Sequence, residues 1–241
     1  MLHKLERSDS SHAILDQASR TIKARKIIAL LKSEGIDLAK STVLDIGTGA
    51  GIITQDISRE AKATVGVDVT DERKVTDGFD FVLVENEQLP FENQYFDVVI
   101  SNHIIEHVGD QELHIREMLR VVKDGGVIYL ATPNKYWITD PHYKIPFVNW
   151  MSESMASVYI SYFRKADWDI KPVSEPWITN RVAAQCRVRN LVPKLTKNPE
   201  AFSLDTGSVL HPLVKLLPLF VLHILAKLSP TIILALHKNK N

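Results

Sequence analysis

The sequence predicts an α/β fold in which a mostly parallel sheet is covered by helices on both faces. Three observations carry this expectation: short apolar runs recur along the chain, helical periods separate them, and a glycine-rich loop follows the first run. The composition suits such a core. The 241 residues are 45% hydrophobic and 24% charged, with 10 Gly and 11 Pro, which describes an ordinary globular chain of one-domain size rather than a disordered or fibrous one.

The elements follow in order. Residues 13–31 carry Ile14, Ala18, Ile22, Ile27, Leu30 and Leu31 at helical spacing among charges, and Gly35 supplies a stop, so a leading amphipathic helix is expected. Strands are expected at 42–46, 64–67, 81–84, 96–100 and 127–131, apolar nearly throughout, as strands buried on both faces are. A helix over 111–122 precedes the turn Lys123-Asp124-Gly125-Gly126. A further helix is expected at 174–186, a sixth strand at 188–195 and a β-branched last strand at 229–238.

Charge and cysteine usage narrow the class. Cys186 stands alone, which excludes an intrachain disulfide framework, and no charged segment leading into an apolar one opens the sequence. A reducing, cytoplasmic compartment is the expectation. From Arg181 onward nine Lys and Arg stand against Glu200 and Asp205, a balance of +7 that the first 180 residues offset with −7. Such a basic last third suits either a solvated face or an anionic partner. Those first 180 residues hold no interleaved basic and aromatic patch, so nucleic acid is not expected as a partner.

The loop after the first strand reads Asp45-Ile46-Gly47-Thr48-Gly49-Ala50-Gly51 and leads into a helix over about 52–61. Glycines there allow a tight turn and close approach of a ligand, and the helix start offers unpaired N–H groups. A dinucleotide loop needs G-x-G-x-x-G, whereas here single residues separate the glycines and Ile52 fills the sixth position. Asp45 would repel a pyrophosphate but suits an ammonium or a sulfonium.

This run resembles the first motif of class I S-adenosylmethionine-dependent methyltransferases, an acidic residue followed by G-x-G-x-G. The resemblance continues through Asp68 closing "TVGVD", through "ENEQLPFENQYFDVVISNHIIEHV" (85–108) and through "MLRVVKDGGVIYLATPN" (118–134), and so covers about 43–134 in unbroken order. It implies a Rossmann-like sheet of seven strands, the last antiparallel, and S-adenosylmethionine as co-substrate. It further implies that Asp45, Gly47, Gly49 and Gly51 form the cofactor loop and that Asp68 holds both ribose hydroxyls. Glu85 would accept from the adenine amino group, Asn86 follows where the family usually has a small residue, and Leu89-Pro90-Phe91 would close the adenine edge. Ser101 and Asn102 end the fourth strand, where the family places the transferable methyl and the amino-acid end of the cofactor.

His103-Ile104-Ile105-Glu106-His107 is expected to begin a short helical segment, and three roles fit it. Glu106 and His107 can orient the loop by hydrogen bonds. His103 or His107 can act as general base on a hydroxyl acceptor, since imidazole titrates near neutral pH. On one helical face, His103, Glu106 and His107 could also ligate a metal. Some ubiquinone-biosynthesis O-methyltransferases are similar here, with E-x-x-E-H holding magnesium, but His103 stands where their first Glu does, and imidazole is a poor ligand for that hard ion. No metal site is therefore expected.

Beyond Pro133 the residues that select the acceptor are expected. "TPNKYWITDPHYKIPFVNW" (132–150) interleaves aromatics and prolines with Asp140, His142 and Lys144, and resembles a segment of bacterial methyltransferases associated with surface glycan or lipid-linked substrates. His142 and Tyr143 are further acid–base candidates. The organisation expected is one methyltransferase domain over 1–241: a leading helix (1–40), a cofactor-binding core (41–134), an acceptor lid (135–175), and C-terminal strands (176–241). The last part carries an apolar helical insertion at 211–228, which Pro218 would kink. That insertion suits core packing or a membrane surface, the latter implying a peripheral position at the inner membrane face. The expected activity is O-methylation of a small-molecule, lipid-linked or surface-glycan precursor. A quinone-type O-methyltransferase and a non-catalytic S-adenosylmethionine-binding protein are the alternatives.

Overall fold

The computed structural model describes residues 10–139, 145–164, 170–202 and 216–240, with side chains described from residue 17 onward and Arg164 excepted. The chain opens with helix α1 (Ser10–Ser33), then strand β1 (Thr42–Ile46), α2 (Ile52–Ser58), β2 (Ala63–Asp68), β3 (Asp80–Leu83) and β4 (Phe96–Asn102). There follow α3 (Gln111–Val121), β5 (Val122–Pro133), α4 (Glu153–Arg164), α5 (Glu175–Val182), β6 (Cys186–Asn190), α6 (Val192–Lys197), α7 (Leu219–Ala226) and β7 (Thr231–Lys238). The seven strands form one sheet in the order β3-β2-β1-β4-β5-β7-β6. β1 to β5 are parallel, and β7 runs antiparallel between β5 and β6.

Alternation along the strands builds a core on each face. Leu44, Val99, Ile128 and Leu234 point to one side, against Met118 of α3 and Ile178 of α5. Val43, Val98, Ile100 and Tyr129 point to the other, against Ile27, Leu30 and Leu31 of α1. A side-chain period of two in strands covered on both faces explains why these runs are apolar throughout. Order reversal at β1, with β2 on one side and β4 on the other, opens the carboxyl edge of the sheet where ligands bind in such folds.

Four expectations change. The Lys123–Gly126 turn lies inside β5: Val122 pairs with Phe96 and Val127 with Val98, so the intervening residues bulge out while the strand continues. The expected strand at 188–195 divides into β6 and α6, because the Asn190 Oδ1 accepts from the Val192 N–H at the corner and Pro193 suits a first helical turn. Residues 103–107 form a turn rather than a helix, since His103 has φ of 61° and ends the strand run. Pro218 is the N-cap of α7 and opens that helix instead of kinking it; residues 211–215 of the expected insertion lie outside the described residues.

Candidate active site

The sequence folds locally so that β1, β2 and β4 deliver their last residues to one edge. Asp68, at the end of β2, accepts the Gly49 N–H on Oδ2 and the Val69 N–H on Oδ1, each at 2.8 Å, and thereby pins the glycine loop to its neighbouring strand. Gly47 and Gly51 both have φ of 81°. The space beside them is filled by protein: a Cβ on Gly47 would lie 1.9 Å from Ile104 Cδ1, and one on Gly51 would lie 2.4 Å from the Val75 carbonyl oxygen. Gly49 is the open one, 3.9 Å from an Arg20 nitrogen.

Two cavities meet at Gly47 and Ile104. One of about 460 Å³ is lined by Asp68, Glu85, Asn86, Glu87, His107 and His114. The other, of about 390 Å³, is lined by Arg20 and Lys23 of α1 with Asp45, Thr48, Asn102 and His103. Together they form an elongated cleft across the ends of β1, β2 and β4, apolar at its waist and charged at both ends.

Asp45 is buried at the floor of the smaller cavity, 2.5 Å from the Thr54 hydroxyl that donates to it. Burial pushes its carboxyl up to about 7 against that hydrogen bond, and the neighbouring Asp68 charge pushes the same way. A buried carboxylate so placed fits a cationic ligand, which would return it to the ionised form. The basic side chains Arg20 and Lys23 on the same cavity fit a carboxylate. The cleft thus suits a zwitterionic, sulfonium-bearing molecule on its own chemistry.

His103 stands at the wall of the Asp45 cavity, one-third exposed. Its Nδ1 is 3.2 Å from Glu106 Oε1, and the wholly buried Glu106 also accepts from the Thr132 hydroxyl at 2.9 Å. The Glu106 carbonyl takes the Lys171 N–H at 2.7 Å, and Gln111 Nε2 donates to the carbonyls of Ile105 and Lys171. This turn is therefore held from both α3 and the segment after α4. His107 faces the other cavity, so the two histidines do not converge. Among the described residues no group of three or more His, Cys, Asp or Glu could hold a metal ion.

The remaining candidates distribute as follows. Asn102 lines the Asp45 cavity, whereas Ser101 is fully buried with its hydroxyl 3.0 Å from His114 Nε2. Glu85 and Asn86 are exposed on the rim of the Asp68 cavity, and Asn86 Oδ1 accepts from the Gln88 N–H. His142 and Tyr143 lie outside the described residues.

Sequence reasoning missed Arg20, Lys23, Glu87 and His114. Glu87 accepts from the N–H groups of Gly109 and Asp110, which join the rim to the start of α3. Burial raises its carboxyl, but these hydrogen bonds outweigh that and hold it below the usual range. Burial lowers His114 to about 4, so its imidazole is neutral at pH 7. A polar residue on the inward face of an otherwise apolar helical stripe was the available clue to His114.

Comparison with known proteins agrees with this geometry. A family model described as a methyltransferase domain matches residues 5–169. The ubiquinone biosynthesis O-methyltransferase of Rhizobium rhizogenes (strain K84 / ATCC BAA-868) is 31% identical over 102 residues, 39% of this chain and 41% of that protein. The human mitochondrial ubiquinone biosynthesis O-methyltransferase is 31% identical over 137 residues, 52% of this chain and 36% of that one. The matched part of the chain thus spans less than half the length of these curated relatives. Among solved structures, the geranyl diphosphate C-methyltransferase from Streptomyces coelicolor A3(2), in complex with Mg2+, geranyl diphosphate and S-adenosyl-L-homocysteine, superposes with a TM-score of 0.56 at 14% identity, covering 100% of this chain and 86% of that one. An S-adenosylmethionine-dependent methyltransferase from Mesorhizobium loti gives 0.57 at 12% identity, covering 86% and 95%. These two likenesses show the fold. With its glycine loop, cleft and matched domain, the chain belongs to the class I S-adenosylmethionine-dependent methyltransferase family.

Proposed function

We propose that the protein is an O-methyltransferase whose acceptor is a small molecule, a lipid-linked precursor or a surface-glycan precursor. S-adenosylmethionine supplies the electrophilic methyl. Asp68 is assigned to the ribose diol, with Gly47, Gly49 and Gly51 giving backbone approach and Glu85 and Asn86 at the adenine edge. Asp45 and Asn102 are assigned to the cationic amino-acid end, and Arg20 and Lys23 to its carboxylate.

One observation carries the preference for oxygen: His103 stands on the cavity wall with its Nδ1 on the buried Glu106. A carboxylate on Nδ1 holds the proton there and leaves the Nε2 lone pair to take one from an acceptor hydroxyl. Glu106, itself fixed by Thr132, positions this base. The quinone-type reading draws support from the names of the curated relatives. A membrane-surface position draws support from the exposed apolar side chains of α7, although no described helix is long and apolar enough to cross a membrane.

The test offers labelled S-adenosylmethionine to fractionated lipids, quinones and glycans. His103→Gln is expected to lower turnover by roughly 10²–10⁴ while S-adenosylmethionine binding survives, and addition of a chelator is expected to leave the wild type unaffected. Label on carbon or nitrogen, or full activity in His103→Gln, would remove the base from the reaction. Binding with no turnover on any fraction would favour a protein that holds the cofactor without using it.

A further inference from the structure

A third cavity, of about 470 Å³, lies far from the cleft, between the edge strand β6 and helices α5, α6 and α7. In the sheet β6 stands three strand spacings from β4, roughly 14 Å, so this cavity is not an extension of the cofactor site. Its floor is apolar, from Val188, Leu191 and Pro193. Its charged lining comprises Arg189, Lys194 and Lys197 against Glu34 and Glu175, which leaves one net positive charge, with His223 beside them.

The carboxylates are already committed. The Glu34 side chain is almost wholly buried and meets Arg189 and Lys194 at 3.0 Å each, and also His237. Glu175 accepts from Asn190 Nδ2 at 2.7 Å. Arg189 is half-exposed, and Lys197 forms no ion pair within the described residues, so both can face a ligand.

The helix that closes this cavity is unusually apolar on its outside. Leu219 and His223, one turn apart, face the cavity. Phe220 and Ile224 follow them by one position and Leu228 continues the row, forming a neighbouring stripe along α7 and its C-terminal turn, and these three are 68%, 60% and 61% exposed. A basic cavity and an exposed apolar stripe on one helix match an amphiphile with an anionic head, and one net positive charge matches a phosphodiester.

From this we infer that the β6–α7 cavity binds the phosphodiester headgroup of an anionic membrane lipid while Phe220, Ile224 and Leu228 enter the acyl layer. The inference rests on the membrane-surface reading given above, and extends it with a defined headgroup site. Asn134, at the carboxyl end of β5, donates through Nδ2 to the carbonyls of Lys227 and Ser229, and its N–H donates to Pro230. A protein seated through α7 therefore brings the catalytic edge of its sheet toward the bilayer.

The experiment measures co-sedimentation with vesicles of phosphatidylcholine alone and of phosphatidylcholine with phosphatidylglycerol, alongside calorimetry with S-adenosylmethionine. Pelleting with the phosphatidylglycerol vesicles only is expected. Lys197→Glu, which disturbs no ion pair among the described residues, should lower that partition about tenfold, Lys197→Arg should restore it, and Phe220→Glu should abolish it. Lys62→Glu, an exposed charge at the start of β2, should leave it unchanged. Equal loss in Lys62→Glu would show diffuse attraction without a site and overturn the inference. So would binding of soluble glycerol phosphate with vesicles ignored, a concentration-dependent dimer that Phe220→Glu dissolves, or wild-type partition in Lys197→Glu. Absence of all vesicle binding, with cofactor binding intact, would refute the membrane reading itself and leave the methyltransferase assignment standing.

Discussion

Asp45, assigned above to the cationic end of the cofactor, also bears on stability. Its carboxyl keeps a proton up to about pH 7 in the folded protein, whereas in the unfolded chain it ionises near pH 4, so the folded state binds the extra proton between those values. Stability of the ligand-free protein should therefore fall as pH rises through that window, by on the order of 1.4 kcal/mol per unit from this group. Asp45→Asn should flatten that slope in thermal melts from pH 5 to 7 and weaken S-adenosylmethionine binding at pH 8. A slope unchanged in the variant would mean that other groups set it. If Asp45 holds the cofactor as proposed above, affinity of the wild type for the cationic cofactor should rise over the same window, because that assignment makes the ionised carboxylate the binding form. Gly51 presents the steric counterpart. With φ of 81° and a backbone carbonyl where a Cβ would go, Gly51→Ala should cost about 1–3 kcal/mol in denaturant unfolding. A near-neutral result would show that the 73–75 segment yields.

At the scale of elements, the rim that follows β3 is tied to α3 through the Arg120–Glu117 pair. Arg120 bonds the carboxylate of Glu117 and the carbonyls of Leu89 and Phe91, while Glu117 Oε2 accepts the Leu89 N–H. Arg120→Ala should leave Glu117 uncompensated near the core and release two carbonyls. We expect a loss of about 2–3 kcal/mol and weaker adenosine binding, measured by urea unfolding and calorimetry. Affinity unchanged despite lower stability would separate this rim from the ligand. Such cross-links join residues far apart in the chain and are not legible in the sequence, whereas local features are. β1 falls on its expected residues, because a strand apolar on both faces and closed by a glycine loop has few alternatives. The Asp45–Gly51 loop and Asp68 were equally plain, being local in sequence. The turn at His103 was not, since a positive φ in a non-glycine residue is imposed by the end of β4 and by the Ala131 carbonyl that takes its N–H. Arg20 and Lys23 were hidden for another reason: they read as the polar face of a solvated helix until the fold laid α1 over the loop.

In the whole molecule α1 connects two distant places. Arg20 and Lys23 line the candidate cleft, and Glu34, in the turn that follows the helix, ties it to β6, β7 and α6 through Arg189, His237 and Lys194. Glu34→Ala should therefore lower the melting temperature and also weaken S-adenosylmethionine binding from outside the cleft, as Arg20→Ala should from within it. Reduced stability with unaltered affinity would show that the two ends of α1 act independently. The sheet order has a further consequence, one of timing. β7 is inserted between β5 and β6, yet β5 ends at Pro133 and β7 begins only at Thr231, about a hundred residues later. At a synthesis rate of about 5–20 residues per second, the outer edge of β5 waits some five to twenty seconds on the ribosome for its partner. Throughout that interval an apolar strand offers unpaired amides to any passing chain, so this protein's exposure to misassembly is set during translation.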